Sequence, residues 1–167
     1  LQYFVRILQI GGSESGNSFM GFGLFFALWV VIVAKFSDIG ALLIGKAIGR
    51  TKMAPSISPG KTIEGLLGGF AASAGIGALL PWLFQEKITD IVFFGNWIFT
   101  PSQGALWGIL LALSAVIGDL IASVLKRLAS MKDSGGAIPG IGGLFDLTDS
   151  LILAAPTGYF ILIFIQK

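Results

Sequence analysis

Four stretches of this chain, residues 19–36, 63–84, 104–125 and 144–165, are each apolar for about 20 residues, the length a helix needs to cross a hydrocarbon core of about 30 Å. In lipid every backbone amide and carbonyl must be paired within the protein, and a run of this length pairs its own only as an α-helix. The fold expected is therefore all-α, a polytopic membrane helix bundle of about four spanning helices. A fifth piece, residues 39–48, is too short to cross; it either continues the first span after a bend or re-enters the membrane as a short helix. Composition agrees: 54% of the 167 residues are hydrophobic and 12% charged, against about 25% charged in a soluble domain. A net charge of +2 is too small for a polyanion-binding surface, so nucleic acid is not an expected partner, and the absence of Cys excludes a disulfide scaffold. There is no His, which removes the commonest general base and metal ligand.

The chain begins at Leu1 rather than Met and is expected to be a piece of a longer protein. Residues 1–18 read as an incomplete N-terminal segment and polar loop, and residues 19–167 as a membrane region. Basic loops set orientation. The connection from Lys46 to Lys61 carries Lys46, Arg50, Lys52 and Lys61 with no acid, and the one after the third span carries Lys126, Arg127 and Lys132 with Asp133. Both are expected to face the cytoplasm. Residues 91–99, with Trp97, read as an interfacial aromatic patch on the opposite side. Gly65, Gly68, Gly69, Gly75 and Gly77 fall in one span; small residues at such spacing let membrane helices approach closely, and packing inside the bundle is the expected use.

Five of the nine acids, Asp38, Asp119, Asp133, Asp146 and Asp149, lie in or beside apolar runs, where an ionised carboxylate costs roughly 2.5 kcal/mol or more. All five fall near the same side, and Asp146 and Asp149 share one helix face. Two accounts fit. The acids converge on a hard cation such as Mg²⁺, which takes oxygen ligands, or Asp119 and Asp149 pair with Lys126 and Arg127. The loop between the last two spans is Gly-rich and bracketed by cations, a combination suited to phosphate. The segment Ser58-Pro59-Gly60-Lys61-Thr62, with Glu64 after it, opens a helix. It serves either as an ordinary cap or as a phosphate cradle at the positive helix end, and it lacks the spacing of a Walker A loop.

Taken together these segments become recognisable. Gly118-Asp119-Leu120, then Ser123-x-x-Lys126-Arg127-x4-Lys132-Asp133-Ser134-Gly135, then Pro139-Gly140-x-Gly142-Gly143-x-x-Asp146-x-x-Asp149-Ser150 resembles the C-terminal signature of the phosphatidate cytidylyltransferases, the CDP-diacylglycerol synthases. Upstream, Ser37-Asp38-x-Gly40-Ala41, Gly45-Lys46-x-x-Gly49 and Ser58-Pro59-Gly60-Lys61-Thr62-x-Glu64-Gly65 are similar to the family's other blocks, in the family's order. There are two departures: the pattern carries His where this chain has Ile141, and Arg where it has Leu147.

The resemblance implies transfer of a cytidylyl group from CTP to phosphatidic acid, giving CDP-diacylglycerol and pyrophosphate, by a homodimer embedded in the lipid bilayer. For this chain that means the C-terminal catalytic part, in a bacterial inner (cytoplasmic) membrane, with its active site facing the cytoplasm. It implies Mg²⁺, with room for more than one ion, on Asp119 and Asp146, and Asp149 as a further ligand or a partner to them. Lys126, Arg127 and Lys132 would hold phosphates, and Ser58, Lys61 and Thr62 the nucleotide. Asp133 joins the catalytic set, and Asp38, Pro59, Glu64, Ser123, Gly142 and Gly143 the substrate-binding set. Three rival functions stay open at this point: a related enzyme acting on another phosphorylated lipid such as an ether lipid, a non-catalytic homologue, and a membrane transporter.

Overall fold

The computed structural model describes residues 2–10, 16–55, 57–91, 99–128 and 150–165. In chain order these form helix α1 (Gln2–Ile10), helix α2 (Gly16–Ile48), strands β1 (Lys52–Ala54) and β2 (Ser58–Thr62), and helices α3 (Ile63–Ile91), α4 (Pro101–Leu128) and α5 (Leu151–Ile165). Three helical segments, Gly23–Ile48, Ile63–Phe84 and Pro101–Leu128, are long and apolar enough to cross a membrane; Leu151–Phe164 is a shorter apolar helix. The fourth expected span is thus represented by α5, and residues 144–149 lie outside the described residues.

Helix α2 resolves the two alternatives for residues 39–48. It runs unbroken for 33 residues, about 50 Å at 1.5 Å per residue, so the short piece is the continuation of the first span and not a re-entrant segment. No Pro interrupts it, and its glycines pack without breaking it: a Cβ on Gly40 would lie 2.8 Å from the Gly68 carbonyl oxygen of α3. The helix also starts at Gly16, inside the stretch read as polar loop. Helix α2 packs against α1, α3, α4 and α5. Phe26, Trp29, Val30 and Val33 on α2 are buried with Leu111 and Ala115 of α4 and Leu162 of α5. Phe99 stacks edge-on against Trp29 at 5.1 Å and is itself buried. That end of the expected interfacial patch therefore turns into the bundle; residues 92–98, Trp97 included, lie outside the described residues. Residues 2–10, read as part of an incomplete segment, contribute fully buried Ile7 to the same core.

Helices α3 and α4 meet backbone to backbone. A Cβ added at Gly104 would collide with the Gly77 carbonyl oxygen, and one at Gly108 would fall 2.6 Å from the Ser73 carbonyl oxygen. Gly77 makes the matching contact from α3; Gly65, Gly68 and Gly69 make equally close ones to α2, and Gly75 faces open space. The start of α4 is fixed by a capping box: the Thr100 hydroxyl accepts from the Gln103 amide (3.3 Å), and the Gln103 side chain accepts from the Thr100 amide (3.1 Å). Pro101 at the first helical position has no amide to leave unpaired.

The basic connection after α2 holds an antiparallel hairpin. Lys52 pairs with Thr62 and Ala54 with Ser58, with an irregularity between them. The strands have only three and five residues, and the second contains Pro and Gly, so their composition reads as loop. Antiparallel α3 and α4 bring this hairpin, at the head of α3, to the late turns of α4.

Candidate active site

The hairpin leads straight into α3 through Thr62. The Thr62 Oγ1 accepts from the Gly65 amide at 3.1 Å, the bond expected of an N-cap. Glu64, one residue into the first turn, accepts from the Thr51 amide through both carboxylate oxygens, at 3.1 and 3.2 Å. Together with the Ile63 amide bonding the Thr51 carbonyl (2.9 Å), this clamps the base of the hairpin to the helix. Ser58, Gly60, Lys61 and Thr62 are thereby held at a fixed height over the bundle.

They line a cavity of about 420 Å³. From α2 it takes Asp38, Ala41 and Leu42; from the hairpin also Met53; from α3 Gly65 and Leu66; and from α4 Val116 and Asp119. The lining is apolar apart from the hairpin groups and the two carboxylates, which come from different helices and are close enough to interact electrostatically. Lys61 forms an ion pair with Asp119, the one partner recorded for its buried ammonium nitrogen among the described residues. Of the two accounts of Asp119, pairing with its helix neighbours Lys126 and Arg127 is therefore not the one observed: its partner comes from β2, 58 positions back along the chain. Behind Asp38, the Lys35 ammonium lies 3.6 Å from Asp38 Oδ2 and donates to Ser150 Oγ at 2.9 Å.

The cavity thus brings together a fixed cation, hydroxyls at a helix N-terminus, two carboxylates and apolar walls. Residues 8–165 match the profile of the Cytidylyltransferase family. The chain belongs to that family. A phosphatidate cytidylyltransferase of Synechocystis is 41% identical over 127 residues, covering 76% of this chain and 39% of that protein. One from Chlamydia muridarum is 37% identical over all 167 residues and 52% of its own length. An uncharacterised Escherichia coli protein, YnbB, is 38% identical over 142 residues, 83% of this chain and 42% of that protein. The chain spans about half the length of the curated relatives it matches.

Of the site residues expected in this cytidylyltransferase-family chain, Asp38, Ser58, Lys61, Thr62 and Asp119 gather around one cavity. Pro59 is exposed on the hairpin, and Glu64 braces the hairpin rather than lining the cavity. Ser123 and Lys126 follow Asp119 by one and two turns on α4 and are half-buried, while Arg127 is exposed. Lys132, Asp133, Asp146, Asp149, Gly142 and Gly143, and the departures Ile141 and Leu147, lie outside the described residues, and with them the Gly-rich loop. Among the described residues no three acids gather in a metal-binding group. Lys35, at the end of the first apolar run, is a polar neighbour of the site that the sequence analysis did not single out. Its spacing of three from Asp38 was the available signal.

Proposed function

We propose that the protein transfers the cytidylyl group of CTP to the phosphate of phosphatidic acid, in a membrane. The observation that carries this reading is the Lys61–Asp119 pair across a cavity walled by apolar helices, in a chain of the Cytidylyltransferase family. A phosphate oxygen of the lipid attacks the α-phosphorus of CTP, a new P–O bond forms, the bond to the β-phosphate's bridging oxygen breaks, and pyrophosphate leaves. The attacking phosphate is anionic at neutral pH and needs little help from a base, which suits a chain with no His. The obstacle is bringing two polyanions together. Lys61 meets the triphosphate with its ammonium, and Ser58 and the capped N-terminus of α3 offer hydroxyl and amide donors.

Oxygen donors without His or Cys fit Mg²⁺. Asp119 would hold it, with Asp38 beside it and Asp146 and Asp149 as the further ligands the resemblance implies. The chemistry such an ion would supply is neutralisation of phosphate charge. With Asp119 engaged by a cation, Lys61 would be available to phosphate. We place the cavity on the cytoplasmic side of a bacterial inner membrane, where CTP enters from water while the diacyl tails stay in lipid, and we assign the working unit as a homodimer.

The test uses full-length protein in phosphatidate-containing liposomes, given CTP labelled at the α- or the γ-phosphorus. The reading predicts α-label in extractable lipid and γ-label in pyrophosphate. Label from the γ-position in lipid would mean a kinase, and no labelled product from folded protein would overturn the assignment.

A further inference from the structure

We infer that Lys35 is a positioning residue for the proposed reaction, holding the Asp38 carboxylate against the cavity and tying the start of the last helix to α2 through Ser150. The inference rests on the cytidylyl-transfer reading for its kinetic consequence but not for its structural one.

Three observations carry it. Lys35 and Asp38 are one turn apart on α2, with the ammonium 3.6 Å from Asp38 Oδ2, so they share a helix face. Asp38 lines the cavity, and Lys35 is not among its lining residues. The same ammonium donates to Ser150 Oγ at 2.9 Å, across 115 positions of sequence. Ser150 is 1% exposed and directly precedes α5. Cation, carboxylate and hydroxyl thus form one network linking the cavity wall to the entry of α5.

A lysine inside a spanning helix needs a polar partner or a route to the interface. A lysine that only offset the charge of Asp38 would need no third member. The bond to Ser150 adds a tether, and it acts directly before the first turn of α5. Neutralising Lys35 should loosen Asp38 and the first turns of α5 together.

The experiment uses full-length protein in liposomes and the variants Lys35→Met, Lys35→Arg and Ser150→Ala. Turnover is resolved into kcat and KM for CTP, and backbone hydrogen exchange over Leu151–Thr157 is measured by mass spectrometry without substrate. Lys35→Met should lower kcat about tenfold with KM within twofold, and speed exchange in that segment several-fold while α3 and α4 keep their protection. Ser150→Ala should reproduce the exchange change, and Lys35→Arg should restore most of both readouts. Unchanged exchange in Lys35→Met would overturn the tether. A rise in KM with kcat preserved would overturn the positioning role in favour of direct substrate contact. Because exchange is read without substrate, a protein that transferred no cytidylyl group would still decide whether the tether exists.

Discussion

Lys61 gives the cavity its one described cation, and its value to the site comes from where β2 holds it. Replacing it by Met leaves the Asp119 carboxylate partly buried without its partner and removes the phosphate contact proposed for it. Steady-state assays should show kcat/KM for CTP falling about 100-fold, roughly 2.7 kcal/mol of transition-state stabilisation, with partial recovery in Lys61→Arg. Thr62 has a different duty, as the cap of α3, so Thr62→Ala should cost about 1 kcal/mol of stability, seen as a lower melting temperature in detergent. At this scale the sequence made Asp38, Ser58, Lys61, Thr62 and Asp119 legible because membrane helices rarely tolerate charge and because the blocks containing them are distinctive. The pairing of Lys61 with Asp119 was not legible. It depends on two helices running antiparallel, and local spacing offered only Lys126 and Arg127 as cationic partners beside the metal account. Lys35 escaped for the same reason, since its second partner lies 115 positions away.

Among the elements, the long apolar runs translated directly into α2, α3 and α4, because a bilayer permits few alternatives to a helix. Helix ends were harder: the capping box at Thr100 and Gln103 starts α4 three residues before its apolar run. The hairpin was hidden by strands too short and too rich in Pro and Gly to show alternation, and the polar bonds that hold it come from Glu64 and Thr51. The α3–α4 contact provides a sharp comparison. Gly104→Ala drives a methyl group into the Gly77 carbonyl, and overpacking of this kind typically costs 1–3 kcal/mol. Gly75, in the same stretch of small residues, faces open space, and Ala there gains up to about 1 kcal/mol of helix propensity. Thermal unfolding should therefore move down for Gly104→Ala and stay level or rise for Gly75→Ala. Equal shifts would contradict the packing described.

For the whole molecule, the hairpin and the C-terminal end of α4 lie at one end of the bundle and Thr100 at the start of α4 marks the other. These 167 residues hold no Cys, so single cysteines placed among them report sidedness against a parent protein freed of any other Cys. Lys52→Cys should react with an impermeant maleimide only from the cytoplasmic face, and Ser102→Cys only from the opposite one. Reversal of that pattern would put the cavity on the wrong side for CTP. The account as a whole turns on one cavity serving a water-soluble nucleotide and a membrane lipid together. The most direct measurement is pyrophosphate release from CTP and Mg²⁺ by full-length protein in liposomes, with and without phosphatidic acid, compared with Asp119→Asn. The account predicts release that requires the lipid and falls at least 100-fold in the variant. Release that ignores phosphatidic acid, or an Asp119→Asn protein that turns over at the wild-type rate, would contradict it.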